Sequence, residues 1–168
     1  MIDKITLTRI EQLHPKIKDE VKNIYLNEIV TQLGSTTCRF AYTLRTLQEQ
    51  KDLYALGRTK LFDATGHRLG IVTNANAGQS IHNYGLAFDI VLIANNNASW
   101  DTVKDFDGDG KSDWMEVVTI FKNHGYVWGG DWKFKDAPHF EKTFGHDWQS
   151  LKTICEKGNY INGIYPNI

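Results

Sequence analysis

The stretch QSIHNYGLAFDIVLI, residues 79–93, decides how this chain folds. Its second half, GLAFDIVLI at 85–93, is rich in branched and aromatic residues and reads as a buried β-strand. Asp89 interrupts that apolar run, and His82 stands just upstream of it. A carboxylate among apolar neighbours must neutralise, pair with a charge or hold a metal, because burying it alone is strongly unfavourable.

Working outward from the strand, residues 15–30 place Ile17, Val21, Ile24 and Tyr25 at helical spacing, with Pro15 in the first turn. A second helix opens at Thr46, where Thr46 and Glu49 have capping-box spacing, and Gly57 supplies its stop. Arg45 then lies just outside that helix, on a turn. Residues 58–79 read as a long loop rich in Gly, Asn and Thr. After the strand come an Asn-rich turn, an acidic loop at 105–113 and a helix over about 113–123 that ends before Gly125. Short strands are expected around Tyr126–Trp128 and Pro138–Phe140, and a last helix from Asp147 toward Gly158. Helices and strands without regular βαβ alternation predict an α+β fold with a central, mainly antiparallel sheet flanked by helices. The absence of repeats and of Pro/Ser-rich linkers predicts one domain over 1–168.

Composition narrows the function. An apolar fraction of 41% and a formal net charge of −1 describe a globular chain without the basic excess expected of a nucleic-acid binder. No apolar run approaches the roughly 20 residues of a membrane span. The start MIDKITLTRIEQLHPK has no long apolar core, so no secretory signal is expected. The chain either acts in the cytoplasm or leaves by a route that does not read such a signal. Cys38 and Cys155 are too few for a disulfide framework and read as buried free thiols. Trp114, Trp128, Trp132 and Trp148 predict an aromatic core or groove in the last third.

A second informative stretch, GGDWKFKDAPHFE at 129–141, sets Asp136 three residues before His139. His82, Asp89 and His139 together offer two imidazoles and a carboxylate, a donor set that recurs in catalytic zinc sites with a fourth position open to water. Zinc there acidifies its water and polarises the carbonyl under attack. Asp136 is the candidate to carry the proton. The same donor types also hold ferrous iron in oxygenases, and residue chemistry alone leaves the two metals open. His14, His67, His124 and His146 read as surface or hydrogen-bonded residues rather than ligands.

The pattern Ser80-x-His82-x(6)-Asp89, followed by Asp136-x-x-His139, resembles the M15 metallopeptidases. More narrowly it resembles their L-alanyl-D-glutamate peptidase group, which includes phage endolysins and bacterial cell-wall hydrolases. RIEQLHP at 9–15, LRTLQEQKDLYALGRT at 44–59 and GIVTNANAGQSIHNYGLAFD at 70–89 carry the same likeness. The resemblance implies a hedgehog/D-Ala-D-Ala-peptidase-like fold and a zinc ion on His82, Asp89 and His139. It also implies Asp136 as general base and Arg45 as a substrate-contacting and catalytic residue. A guanidinium suits a developing oxyanion or a stem-peptide carboxylate; a surface salt bridge is the plainer role. Ser80 would bind substrate or orient His82, while Gln50 and Arg58 suit packing and loop bracing as well as function.

The implied activity is hydrolysis of an amide in peptidoglycan stem peptides by a monomer without membrane insertion. The implied place is the cell wall, reached through holin-type or other non-classical release. D,D- or L,D-carboxypeptidase or dipeptidase activity uses the same constellation, and a non-catalytic zinc-containing wall-binding domain is the rival of another class. LFDATGHRL at 61–69 lengthens the loop before GIVTNA relative to the group, so the rim of the cleft is expected to differ.

DFDGDGKSDWME at 105–116 matches the calcium-loop pattern of an EF-hand, with Asp105, Asp107, Asp109, Asp113 and Glu116 at positions 1, 3, 5, 9 and 12 and Gly110 at position 6. Ser112 stands where an apolar residue is usual, and no convincing helix precedes the loop. The alternative to calcium is a solvated acidic turn in which Asp113 caps the next helix.

Overall fold

A computed structural model describes residues 2–168. The chain begins with α1 (Lys4–Ile10) and α2 (Pro15–Ile24); α2 runs on through a π-turn (Tyr25–Ile29) into the short α3 (Val30–Gln32). Next come β1 (Thr37–Tyr42), α4 (Leu47–Ala55), a 3₁₀ turn (Ile81–Tyr84), β2 (Ala87–Ala94) and β3 (Asn97–Ser99). The remainder is α5 (Asp113–Asn123), β4 (Val127–Trp128), β5 (His139–Glu141), α6 (Trp148–Glu156) and the hairpin β6 (Tyr160–Ile161) and β7 (Tyr165–Pro166). The fold is α+β with antiparallel pairing, as the sequence predicts. No described helix is long and apolar enough to cross a membrane. The chain divides into two compact units, residues 1–43 with 86–142, and 44–85 with 143–168.

The first unit is built on the sheet β1-β2-β5-β4, with β3 pairing β2 as well. Strand alternation does the essential sorting. Phe88 of β2 stands opposite Phe140 of β5, and one residue on, Asp89 stands opposite His139. Cross-strand partners share a face, so the phenylalanines and the Asp–His pair leave the sheet on opposite sides. On the Phe88 side, Phe40, Phe88 and Phe140 stack at 4.5 and 5.5 Å, and Phe121 of α5 closes on Phe88 at 4.8 Å. Trp114, Val117 and Val118 of α5 are also buried.

Several elements escape the sequence reading. β1 is one: Cys38 and Phe40 are buried while Arg39 between them turns out to Asp3. That carboxylate caps α1 by accepting from Thr6 N at 3.1 Å, and it takes two hydrogen bonds from Arg39 at 3.0 Å each. β3 is another. Asn95 and Asn96 both have positive φ, 51° and 63°, so the Asn-rich turn is a two-residue hairpin loop returning into β3. The hairpin β6–β7 is a third. His14 is fully buried as the N-cap of α2, its Nδ1 accepting from Lys16 N, which fits the hydrogen-bonded role expected of it.

In the second unit, α4 starts with the full capping box of Thr46 and Glu49. Gly57 has φ +71°, and a Cβ there would meet the Gly70–Ile71 backbone at 2.5 Å, so the loop can close on itself only at a glycine. Arg58 braces that loop, donating to the carbonyls of Tyr54 and Thr73 at 2.9 Å each. α6 begins where expected, after Asp147, which caps it by accepting from Ser150 N. Cys38 is buried and free as expected, whereas Cys155 is only half-buried.

Candidate metal centre

β2 and β5 deliver the central pair. Asp89 Oδ1 lies 3.2 Å from His139 Nδ1, and the other ring nitrogen, Nε2, lies 3.0 Å from Glu141 Oε2. The expectation that Asp89 is engulfed by apolar neighbours needs correction. Its side chain is 23% exposed, because alternation turns it away from the phenylalanine core. β1 contributes a local irregularity here: Phe40 pairs with Ile90 but Tyr42 with Asp89, leaving Ala41 as an extra residue. Such bulges re-aim side chains next to functional sites.

His82 sits in the 3₁₀ turn Ile81–Tyr84, which ends on Gly85 at φ +69° and leads straight into β2. Arg45 N donates to His82 O at 3.0 Å, Asn83 Nδ2 donates to Arg45 O at 2.9 Å, and Gly78 N donates to Asn83 Oδ1 at 3.0 Å. The buried His82 is therefore held by its backbone rather than left on a free loop. His82, Asp89 and His139 each offer one ligand atom, and the three atoms lie within 4.8 Å of one another.

These donors fit a zinc ion. A tetrahedral ion at about 2.0–2.2 Å from N and O ligands spaces them roughly 3.3–3.6 Å apart, and the Asp89–His139 pair already stands at 3.2 Å. Burial alone would lower the His139 pKa, but the hydrogen bonds to Asp89 and Glu141 outweigh it and carry it up to about 9. Two carboxylates thus favour a cation at this imidazole, whether a proton or a metal.

The other expected site residues are placed as follows. Asp136 is exposed, on the turn that enters β5; its carbonyl accepts from His139 N at 3.1 Å and its N donates to Gly129 O at 3.0 Å. Arg45 stands at the N-terminus of α4, its Nη1 donating to Gln50 Oε1 at 2.9 Å, while Gln50 Nε2 donates to Ala75 O. Ser80 is half-exposed, immediately before the His82 turn. His67, His124 and His146 lie outside the group, on Asp63 and Thr65, Glu28 and Ser150 respectively.

Glu141 and Gly129 escaped the sequence reading, and Trp132 entered it only as part of an aromatic core or groove. Glu141 was legible as the residue two beyond His139 on a strand, hence on the same face. Gly129 is required by close approach: a Cβ there would lie 2.4 Å from Asp136 O and 3.1 Å from His139 Cβ. Trp132 places its ring 5.1 Å from that of His139. Of the aromatic core or groove expected in the last third, Trp114 alone among the tryptophans is fully buried, and Phe121 and Phe140 are buried with it.

Residues 73–142 match the peptidase M15 family model described as D-alanyl-D-alanine carboxypeptidase. This segment is similar to the M15 peptidases. It contains His82, Asp89, Asp136 and His139, whereas Arg45 lies before it. The M15 family implies a metal, typically zinc, and the His–Asp–His group could hold one. Over 99 residues the chain is 50% identical to the peptidoglycan L-alanyl-D-glutamate endopeptidase CwlK of Bacillus subtilis (strain 168). That stretch takes up 58% of this chain and 55% of CwlK, so the chain spans about half the length of that relative. The crystal structure of the L-Ala D-Glu endopeptidase ChiX of Serratia marcescens shares the fold, with a TM-score of 0.52 at 20% identity over 85% of this chain and 90% of that one.

Proposed function

We propose that this chain is a zinc peptidase that hydrolyses the amide between L-alanine and D-glutamate in peptidoglycan stem peptides, acting at the cell wall. The observation that carries the reading is the grouping of His82, Asp89 and His139 inside the M15 segment. The M15 likeness and the likeness to CwlK support the choice of metal and of bond.

His82, Asp89 and His139 would hold the zinc ion, which would supply Lewis acidity for the scissile carbonyl and acidify a water. Asp136, an exposed residue, takes the proton from the attacking water and passes it to the departing amine. The Asp136–His139 turn is fixed by backbone bonds, so base and ligand move as one piece. Arg45, steadied by Gln50, neutralises the developing oxyanion or a stem-peptide carboxylate. Ser80 hydrogen-bonds the substrate backbone at the entrance to the His82 turn.

Zinc content measured alongside digestion of purified muropeptides, with products identified by mass spectrometry, tests this reading. The expected product carries a new amino terminus on D-glutamate. A second reading, carboxypeptidase action, is favoured by the description of the matching family model; loss of the terminal D-alanine alone would establish it instead. Binding of sacculi without any cleavage would overturn both.

A further inference from the structure

The acidic loop between β3 and α5 is not used by the peptidase site. Asp105, Asp107 and Asp109 offer carboxylate oxygens within 4.8 Å of one another, and so do Asp107, Asp113 and Glu116, with Asp107 common to both groups. Clustered carboxylates by themselves mean little, since they are common on surfaces. What sets this cluster apart is what is buried in it.

Asp113 is fully buried and Glu116 is 8% exposed. Asp113 Oδ1 accepts from Phe106 N at 3.3 Å, and Glu116 Oε1 accepts from Gln32 Nε2 at 2.6 Å with Lys111 Nζ 3.6 Å away. The second oxygen of each, Asp113 Oδ2 and Glu116 Oε2, is buried without a hydrogen-bond partner. Two buried carboxylate oxygens without hydrogen-bond partners, one turn apart on the same helix, are costly unless a cation or a proton takes them up.

Capping does not explain Asp113. Ser112 is the N-cap of α5, accepting from Met115 N, so the acidic-turn alternative gives Asp113 no role. Gly34, at φ +48°, completes the cradle: a Cβ there would stand 2.9 Å from Asp107 Oδ2. Gly110 has φ +91° at the position where a calcium loop turns sharply. Oxygens on a calcium shell of about 2.3–2.6 Å are at most roughly 5 Å apart, which matches the spread of both groups.

We propose that Asp105, Asp107, Asp109, Asp113 and Glu116 form a calcium site that locks the loop onto the N-terminus of α5. The donors are all hard oxygens, too many for magnesium to retain its water shell, so calcium is preferred. The site stands independently of the peptidase reading.

The test uses the full chain, depleted of divalent ions on a chelating resin, reloaded with one equivalent of zinc and titrated with calcium chloride in a calorimeter. The expected result is one calcium per chain with a Kd below about 1 mM, and at least tenfold weaker magnesium binding. Melting temperature should rise with calcium concentration, as for any ligand bound only by the native state. Asp107→Asn and Glu116→Gln should each weaken calcium at least tenfold with the zinc equivalent retained. Asp113→Asn provides a second readout. Removing the orphaned charge should raise the melting temperature of the calcium-free protein and abolish the gain on adding calcium. No heat and no melting shift at 10 mM calcium in the unaltered chain, or variants that bind calcium as tightly as it does, would overturn the proposal.

Discussion

Glu141 offers the sharpest test of how the candidate metal centre is organised. Its carboxylate lies 3.0 Å from His139 Nε2 and is 19% exposed, while the opposite nitrogen, Nδ1, faces Asp89 at 3.2 Å. With a metal on the Asp89 side, Nε2 must carry the hydrogen and donate it to Glu141, which fixes tautomer and ring orientation. Partners of this kind typically contribute 10–100-fold to metal affinity, or about 1.4–2.7 kcal/mol. Glu141→Ala should therefore weaken zinc by that factor. Glu141→Gln keeps a neutral acceptor with about half the strength of a charge-assisted bond, so its loss should be roughly three- to tenfold.

The fold should tolerate both changes. Glu141 is paired through its backbone with Ala87 on one side and Val127 on the other, whatever side chain it carries. The assay is competition with a chromophoric zinc chelator, with circular dichroism as a control for folding. Glu141 also helps hold a proton on His139, so the titration is best done near pH 9, where that imidazole is about half deprotonated without metal. Zinc affinity in Glu141→Ala within twofold of the parent would refute the positioning role. So would a glutamine variant that falls as far as the alanine one.

Asp136→Asn should retain one zinc per chain yet lose at least a hundredfold in turnover on muropeptides, as expected when a general base is removed, whereas His139→Ala should lose both zinc and activity. Gly129→Ala pushes a methyl into Asp136 O and the His139 side chain; overpacking of this kind destabilises by about 1–3 kcal/mol, and thermal melting with turnover should show activity falling further than stability alone explains. Asp3 joins α1 to β1. Burial would raise its pKa, but hydrogen bonds from Arg39 and Thr6 hold it below the usual carboxylate value. Its stabilising effect is therefore present above about pH 4 and disappears as the pH falls through the lowered folded value. Asp3→Ala should cost about 1–3 kcal/mol at pH 7 by denaturant titration, with the gap to the parent closing in acid.

Where the chain's signals were local, reading them sufficed. The capping box at Thr46 and Glu49, the helix start at Asp147 and the Gly125 stop after α5 each depend on residues within one turn, and each falls where expected. β1 shows the limit. In TCRFAY, Arg39 interrupts a short apolar alternation, and its acceptability depends on Asp3, far away in sequence. The pairing of Asp89 with His139 is likewise set by a β2–β5 register spanning fifty residues, which no local pattern encodes. At the candidate centre, chemistry suggested two imidazoles and a carboxylate as a metal set, and the M15 resemblance singled out His82, Asp89 and His139 as the ligands. Their neighbours Glu141 and Gly129 were harder to find, because an acidic residue on a strand and a glycine in a turn are ordinary until one sees what each touches. The acidic loop at 105–116 inverts the relation. Its pattern was plain in the sequence, yet the pattern alone could not separate a site from a solvated turn. The decisive fact is that Asp113 and Glu116 hide an oxygen each without a partner, and that arises only from how α5 is seated. Sequence selects the atoms, and packing decides which of them still require an ion.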